Sequence, residues 1–406
     1  MKKILLYIFT FYIIYTPNIT ALTGISILGI ELNKHTVLII GSIFIAIYYM
    51  AIRIKCKEKI NLKTVIPLFL GIILSSVYYI VRVIPKEEIT VETTRIVQNN
   101  FIILQILYII IILDILKFWK YSKEDMVKFI LNVALIQSII GILMLIIPSF
   151  RQIAINLCFN GLNENKYIIA TRIYGISDDY TFGTQIFHAF LATIAVLYGI
   201  YVNKKYYIYV PFLLIISLLN GRTGTLIFII NLIIIITTLI FTGKINKKIL
   251  KYIVLGIVLL IIILQLIRIA IPKTYNFINS MITDTVNLIT GDELTGNYQA
   301  LFGYMLYWPE GIYFIIGEGN RVYANSDYIQ SDIGYVNDMF MGGLIYIVIL
   351  YGTIITFLMK KNKEDNKLQN QLNLLISLIS VATLLIANYK GEAMKGRNIV
   401  IWNIIN

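Results

Sequence analysis

The sequence predicts an all-α polytopic integral membrane protein with about eleven transmembrane helices, within a range of ten to twelve. Three observations carry the prediction. Of 406 residues, 58% are hydrophobic and 14% charged, with a mean hydropathy of +0.79, whereas a soluble domain carries about 25% charged residues. Apolar runs near the roughly 20 residues that cross a bilayer recur along the whole chain. The charges divide unevenly between alternate loops. This composition excludes a soluble enzyme, a disordered tail and a nucleic-acid-binding domain. The net charge of +13 and the pI of 9.4 are those of a membrane protein with basic cytoplasmic loops, so no nucleic-acid partner is expected.

The runs lie near 4–16, 35–52, 64–84, 96–116, 129–148, 181–202, 206–219, 225–242, 252–271, 339–359 and 372–389. The first follows Met1-Lys2-Lys3, lacks a small-residue cleavage site and contains Tyr7, Tyr12 and Tyr15, so it reads as a retained span and not a signal peptide. One set of loops (residues 2–3, 53–63, 117–128, 204–205, 244–251 and 360–367) sums to +16, and the opposite set to −4. Basic loops stay cytoplasmic. The N-terminus is therefore inside, and the loops 149–180 and 272–338 face outward, the second long enough to form a structured subdomain. The chain reads as one polytopic domain, 1–406. The apolar tail 396–406 is too short to cross at about 1.5 Å per residue and reads as a re-entrant or interfacial helix.

The remaining special residues narrow the chemistry. Cys56 falls in an inner loop and Cys158 in an outer one, so no disulfide joins them. Two histidines, His35 and His188, cannot build a multi-histidine metal site. No metal and no cofactor are expected. Arg82, Asp114 and Arg268 lie inside spans but near their ends, where long side chains reach the interface.

Candidate chemistry sits on the outer face. Arg172 precedes a span and stands eleven residues before Gly183. Its planar fork of donors suits a phosphate; contact with lipid headgroups is the competing role. Arg222, in Asn220-Gly-Arg-Thr-Gly224, is the one cation of an otherwise uncharged turn, and its flanking glycines let backbone N–H groups approach an anion. The loop 272–338 carries net −6, mostly a solvated acidic surface. The exception is Ser331-Asp332-Ile-Gly-Tyr335 just before a span, where Asp332 is suited to take a proton from a sugar hydroxyl.

This order of features, with Gly342-Gly343-Leu344 opening the span after Asp332, resembles the O-antigen polymerase (Wzy) family, which is related to the O-antigen ligases. The match covers roughly 170–350; the N-terminal half is similar only in hydropathy. The resemblance implies a GT-C-like, metal-independent glycosyltransferase in the bacterial inner membrane, with its active site facing the periplasm. Its substrate would be an oligosaccharide on undecaprenyl diphosphate, and its partners membrane lipids and a chain-length regulator. Arg172 and Arg222 would neutralise the departing diphosphate and Asp332 would act as base. Arg321, Lys390 and Tyr335 would add substrate contacts. Two departures bear on this. The related ligases commonly carry His where Asp332 stands, and Asn297 and Gln299 occupy a stretch where family members often have Arg. A ligase to lipid A core and a lipid-linked oligosaccharide flippase are the alternative functions.

Overall fold

The computed structural model describes residues 2–15, 65–83, 93–158, 182–243, 272–291, 296–323, 327–360 and 366–395, with shorter pieces between them. Among the described residues the chain is helical apart from one short antiparallel ladder, β1 (Ser26–Ile27) with β2 (Ile30–Glu31). The helices are α1 (Lys2–Tyr15), α2 (Ile66–Val83), α3 (Thr93–Phe118), α4 (Lys123–Ile146), α5 (Pro148–Cys158), α6 (Gly183–Tyr201), α7 (Tyr209–Asn220), α8 (Arg222–Phe241), α9 (Pro272–Thr290), α10 (Gly296–Phe302), α11 (Tyr313–Ile316), α12 (Gly334–Met359) and α13 (Lys367–Asn388).

Six of these, α2, α4, α6, α8, α12 and α13, are long and apolar enough to cross a membrane. The protein is therefore a helical, membrane-embedded chain. Helices α1, α3 and α7 coincide with three further predicted runs. The runs predicted at 35–52 and 252–271 lie only partly within the described residues, where helical positions occur in both. Cys56, His35 and the tail 396–406 lie outside the described residues. The helices α9, α10 and α11 fall within the predicted outer loop 272–338.

The chain divides into two compact units, one of residues 1–52 and 111–286, the other of 53–110 and 287–404. In the first, α6 is the central helix, with nearly every side chain from Thr184 to Gly199 buried. Helices α7 and α8 pack on it, and α4 packs on α7. A helix buried on all sides presents no amphipathic stripe, which is why its sequence is apolar all round. Its polar residues are hydrogen-bonded. His188 is fully buried, with Nε2 2.8 Å from the Tyr15 hydroxyl and Nδ1 3.5 Å from Ser138 Oγ. Helix α4 begins at a reciprocal cap: Ser122 Oγ accepts from Asp125 N, and the Asp125 carboxylate accepts from Ser122 N.

In the second unit α2 and α12 pack antiparallel. A Cβ on Gly71 would collide with Thr353, and the rings of Tyr79 and Tyr346 lie 6.5 Å apart. Helix α12 is broken at Gly343, whose φ of 64° and ψ of −164° fall in a region essentially reserved for glycine. The break frees the Phe340 carbonyl, which accepts from Glu318 N at 2.7 Å and Gly319 N at 3.0 Å.

Replacing Gly343 by Ala is expected to cost about 1–3 kcal/mol of stability, because the added methyl also meets the Ile315 carbonyl and Gly317 N. Gly352→Ala, on the same helix with nothing near its Cβ, is expected to be neutral or to stabilise by about 0.5–1 kcal/mol. Thermal unfolding of the two purified variants in detergent checks the contrast.

Candidate functional site

The turn into α12 holds a group of polar residues joined by hydrogen bonds. Asn337 is buried and its amide ties three strands of chain together. Nδ2 donates to the carbonyls of Ser331 and Ile333, both at 2.9 Å, and Oδ1 accepts from Tyr323 N at 2.8 Å. Ser331 Oγ donates to the Met305 carbonyl at 2.7 Å and accepts from Ile333 N at 3.2 Å. Ser331 and Ile333 are both fully buried, while the Asp332 side chain between them is 42% exposed. A carboxylate is thus held outward by a rigid frame.

The end of α13 supplies its partner. Buried Asn388 accepts on Oδ1 from Ala393 N at 2.8 Å and Met394 N at 3.3 Å, closing the turn that follows the helix. Its Nδ2 donates to the Tyr351 hydroxyl, which donates to the buried Asp338 carboxylate, each at 2.5 Å. Gly334 lets the start of α12 approach this turn, since a Cβ there would meet Asn388 Oδ1 and the Gly391 carbonyl. The result is two ion pairs. Lys390 Nζ lies 3.1 Å from Asp332 Oδ2. Arg321 grips Glu392 through two parallel bonds of 2.8 and 2.9 Å and lies 4.8 Å from the Tyr323 ring. Both partners of the second pair are largely shielded, so this fork is stronger than an exposed pair.

Tyr335 packs inward. Its hydroxyl donates to the Leu385 carbonyl at 2.8 Å, and its ring meets those of Tyr351 and Tyr389. Nearby, Tyr328 donates to Glu318 at 2.6 Å and accepts from Asn320 at 2.9 Å. Burial pushes the Tyr307 phenol up to about 12, with Tyr328 and Glu318 acting in the same sense; burial likewise raises Tyr328.

In the first unit, Arg222 opens α8 and pairs with Asp284 of α9. The flanking glycines serve close packing. A Cβ on Gly221 would meet the Gln185 side chain, and one on Gly224 would meet the Gln185 carbonyl and Ser217 Oγ. Gly224 N donates to Gln185 Oε1 at 3.2 Å. Arg172 lies outside the described residues. Its neighbour Ile173 is held at the end of α7, donating to the Leu219 carbonyl and accepting from Asn220 Nδ2 at 2.6 Å.

Of the sequence-derived candidates, Asp332 and Lys390 are brought together, Arg321 is engaged by Glu392, and Arg222 by Asp284. The carboxylates Glu392, Asp284 and Asp338 were not among the candidates. The signal for Glu392 is its place two residues after Lys390, and Asp284 and Asp338 lie among the scattered acids of the loop 272–338. No family model, curated protein or solved structure matches the chain.

Tyr351→Phe removes both bonds of the Asp338–Tyr351–Asn388 chain and is expected to cost about 1–3 kcal/mol. Asp338→Asn retains an acceptor oxygen for Tyr351 and is expected to cost less. Unfolding midpoints in detergent check the order; a loss for Asp338→Asn as large as that for Tyr351→Phe would contradict it.

Proposed function

We propose that the protein is a GT-C-like polysaccharide polymerase that joins undecaprenyl-diphosphate-linked oligosaccharide units at the outer face of the inner membrane. The observation that carries this reading is the Asp332–Lys390 pair: an outward-turned carboxylate beside an ammonium, on a frame fixed by Asn337, Ser331 and Asn388. The chemistry needs such a group. The acceptor sugar's hydroxyl oxygen attacks the anomeric carbon of the donor, and its proton passes to the Asp332 carboxylate. The bond from that carbon to the diphosphate oxygen breaks, and undecaprenyl diphosphate leaves with the electron pair. Cations offset the charge that develops on the diphosphate; Lys390 lies beside the base, and the family resemblance assigns the same role to Arg172, Arg222 and Arg321.

In this mechanism Arg321 and Arg222 each exchange a carboxylate partner, Glu392 or Asp284, for phosphate oxygens. Tyr335 acts by holding the start of α12 to the end of α13 through its bond to the Leu385 carbonyl. The predicted eleven spans, the outward orientation of Asp332 and a chain-length regulator as partner belong to the same proposal.

Asp332→Ala and Asp332→Asn are expected to lower polymerisation about 10²–10⁴-fold, and Arg172→Ala and Arg222→Ala about 10²–10³-fold, at unchanged membrane levels. Gel profiles of surface polysaccharide from a deletion strain carrying each variant read this out. The expected pattern is single repeat units without a long ladder. Normal ladders in all variants contradict the mechanism, and bare core in the deletion strain indicates a ligase instead.

A further inference from the structure

The stretch 303–317 was expected in the outer aqueous loop. We infer that its helix α11 and the turn before it are instead inserted into the outer leaflet of the bilayer, with their apolar side chains against lipid acyl chains. Four observations lead there, and none depends on the glycosyltransfer reading.

The first is exposure. Ile312, Tyr313, Phe314 and Ile315 are 59, 47, 43 and 46% exposed, and no residue of α11 is buried. Four consecutive large apolar side chains in water are costly; in lipid they are stabilising. Glu310 is the one charge between residues 303 and 317.

The second is backbone satisfaction, which hydrocarbon demands. Every N–H from Tyr313 to Gly319 donates to a carbonyl. The donors from Tyr313 to Gly317 use the carbonyls of residues 310–313, and Glu318 and Gly319 use the Phe340 carbonyl freed by the break in α12. At the end of α11, the Ile316 carbonyl accepts from Tyr78 at 3.1 Å and the Gly317 carbonyl from Arg82 at 2.8 Å.

The third is depth. Tyr78 stands four residues before Arg82, the charged residue near the end of α2, or about 6 Å along the helix. Gly343, where an added Cβ would meet the Ile315 carbonyl and Gly317 N, stands five residues past Asp338, the charged residue near the start of α12, about 7.5 Å. Two helices thus assign α11 the same shallow position, within the interfacial zone that amphipathic segments occupy.

The fourth is continuity. Val77 and Val81 on α2, and Leu344, Ile345 and Val348 on α12, are exposed apolar residues on membrane-crossing helices. Tyr304 and Trp308, also exposed, are the residue types that anchor at the headgroup level, and that level suits the carboxylate of Glu310 as well.

The test is spin-label accessibility in the full-length protein, reconstituted in vesicles of phosphatidylethanolamine and phosphatidylglycerol, with Cys56 and Cys158 replaced by Ser. Single cysteines replace Ile312, Phe314 or Ile315; Val348→Cys serves as the lipid-facing control and Tyr323→Cys as the aqueous one. Labels at 312, 314 and 315 are expected to relax with oxygen and to be at least fivefold less accessible to a water-soluble nickel chelate than the label at 323. Chelate access equal to that at 323 overturns the inference in favour of an aqueous loop. Protection from both oxygen and chelate also overturns it, since the patch would then be covered by protein. Three independent positions keep the result readable if one variant fails to fold.

Discussion

A carbonyl released inside a membrane helix needs a donor from the protein, because lipid offers none. The Phe340 carbonyl, freed by the break at Gly343, is captured by the N–H groups of Glu318 and Gly319. Much of the second unit depends on that capture. It fixes the chain leaving α11 against α12, where Gly317 contacts Gly342 directly. Residues 318–323 then start from a defined point, and Tyr323 N reaches Asn337. Arg82 and Tyr78 complete the junction from α2, so an arginine inside a predicted span serves the backbone of a neighbouring segment.

The ion pairs above this junction are held by neutral hydrogen bonds. Asn337 and Ser331 set the turn into α12; Asn388, Tyr351 and Asp338 set the turn out of α13. The two turns meet where Gly334 permits. Charged side chains at their edges, Asp332 with Lys390 and Arg321 with Glu392, are therefore brought together by a polar frame of short reach. Such frames hold a reactive group more precisely than long side chains pairing on their own.

The membrane class was legible because apolar runs near twenty residues are a local property of sequence, and α2, α4, α6, α8, α12 and α13 all fall where such runs were expected. The position of Asp332 just before a span was legible too. Its ion pair was not. Lys390 lies 58 residues from Asp332, Glu392 lies 71 from Arg321, and Asp284 lies 62 from Arg222, and no periodicity connects such positions. Gly342 and Gly343 stand out in the sequence, but a glycine pair in a membrane helix signals close packing as often as a break. Only the positive φ of Gly343 distinguishes the two. The glycines around Arg222 were expected to bring N–H groups to an anion, and they pack on Gln185, a contact set by α6, far away in sequence.

The most direct test of the proposed chemistry is reconstitution: purified protein in vesicles, undecaprenyl-diphosphate-linked repeat units, and a chelator throughout. A ladder of joined repeats with release of undecaprenyl diphosphate is the expected result, abolished in Asp332→Asn. Movement of the lipid-linked sugar across the vesicle membrane without any joining would contradict it.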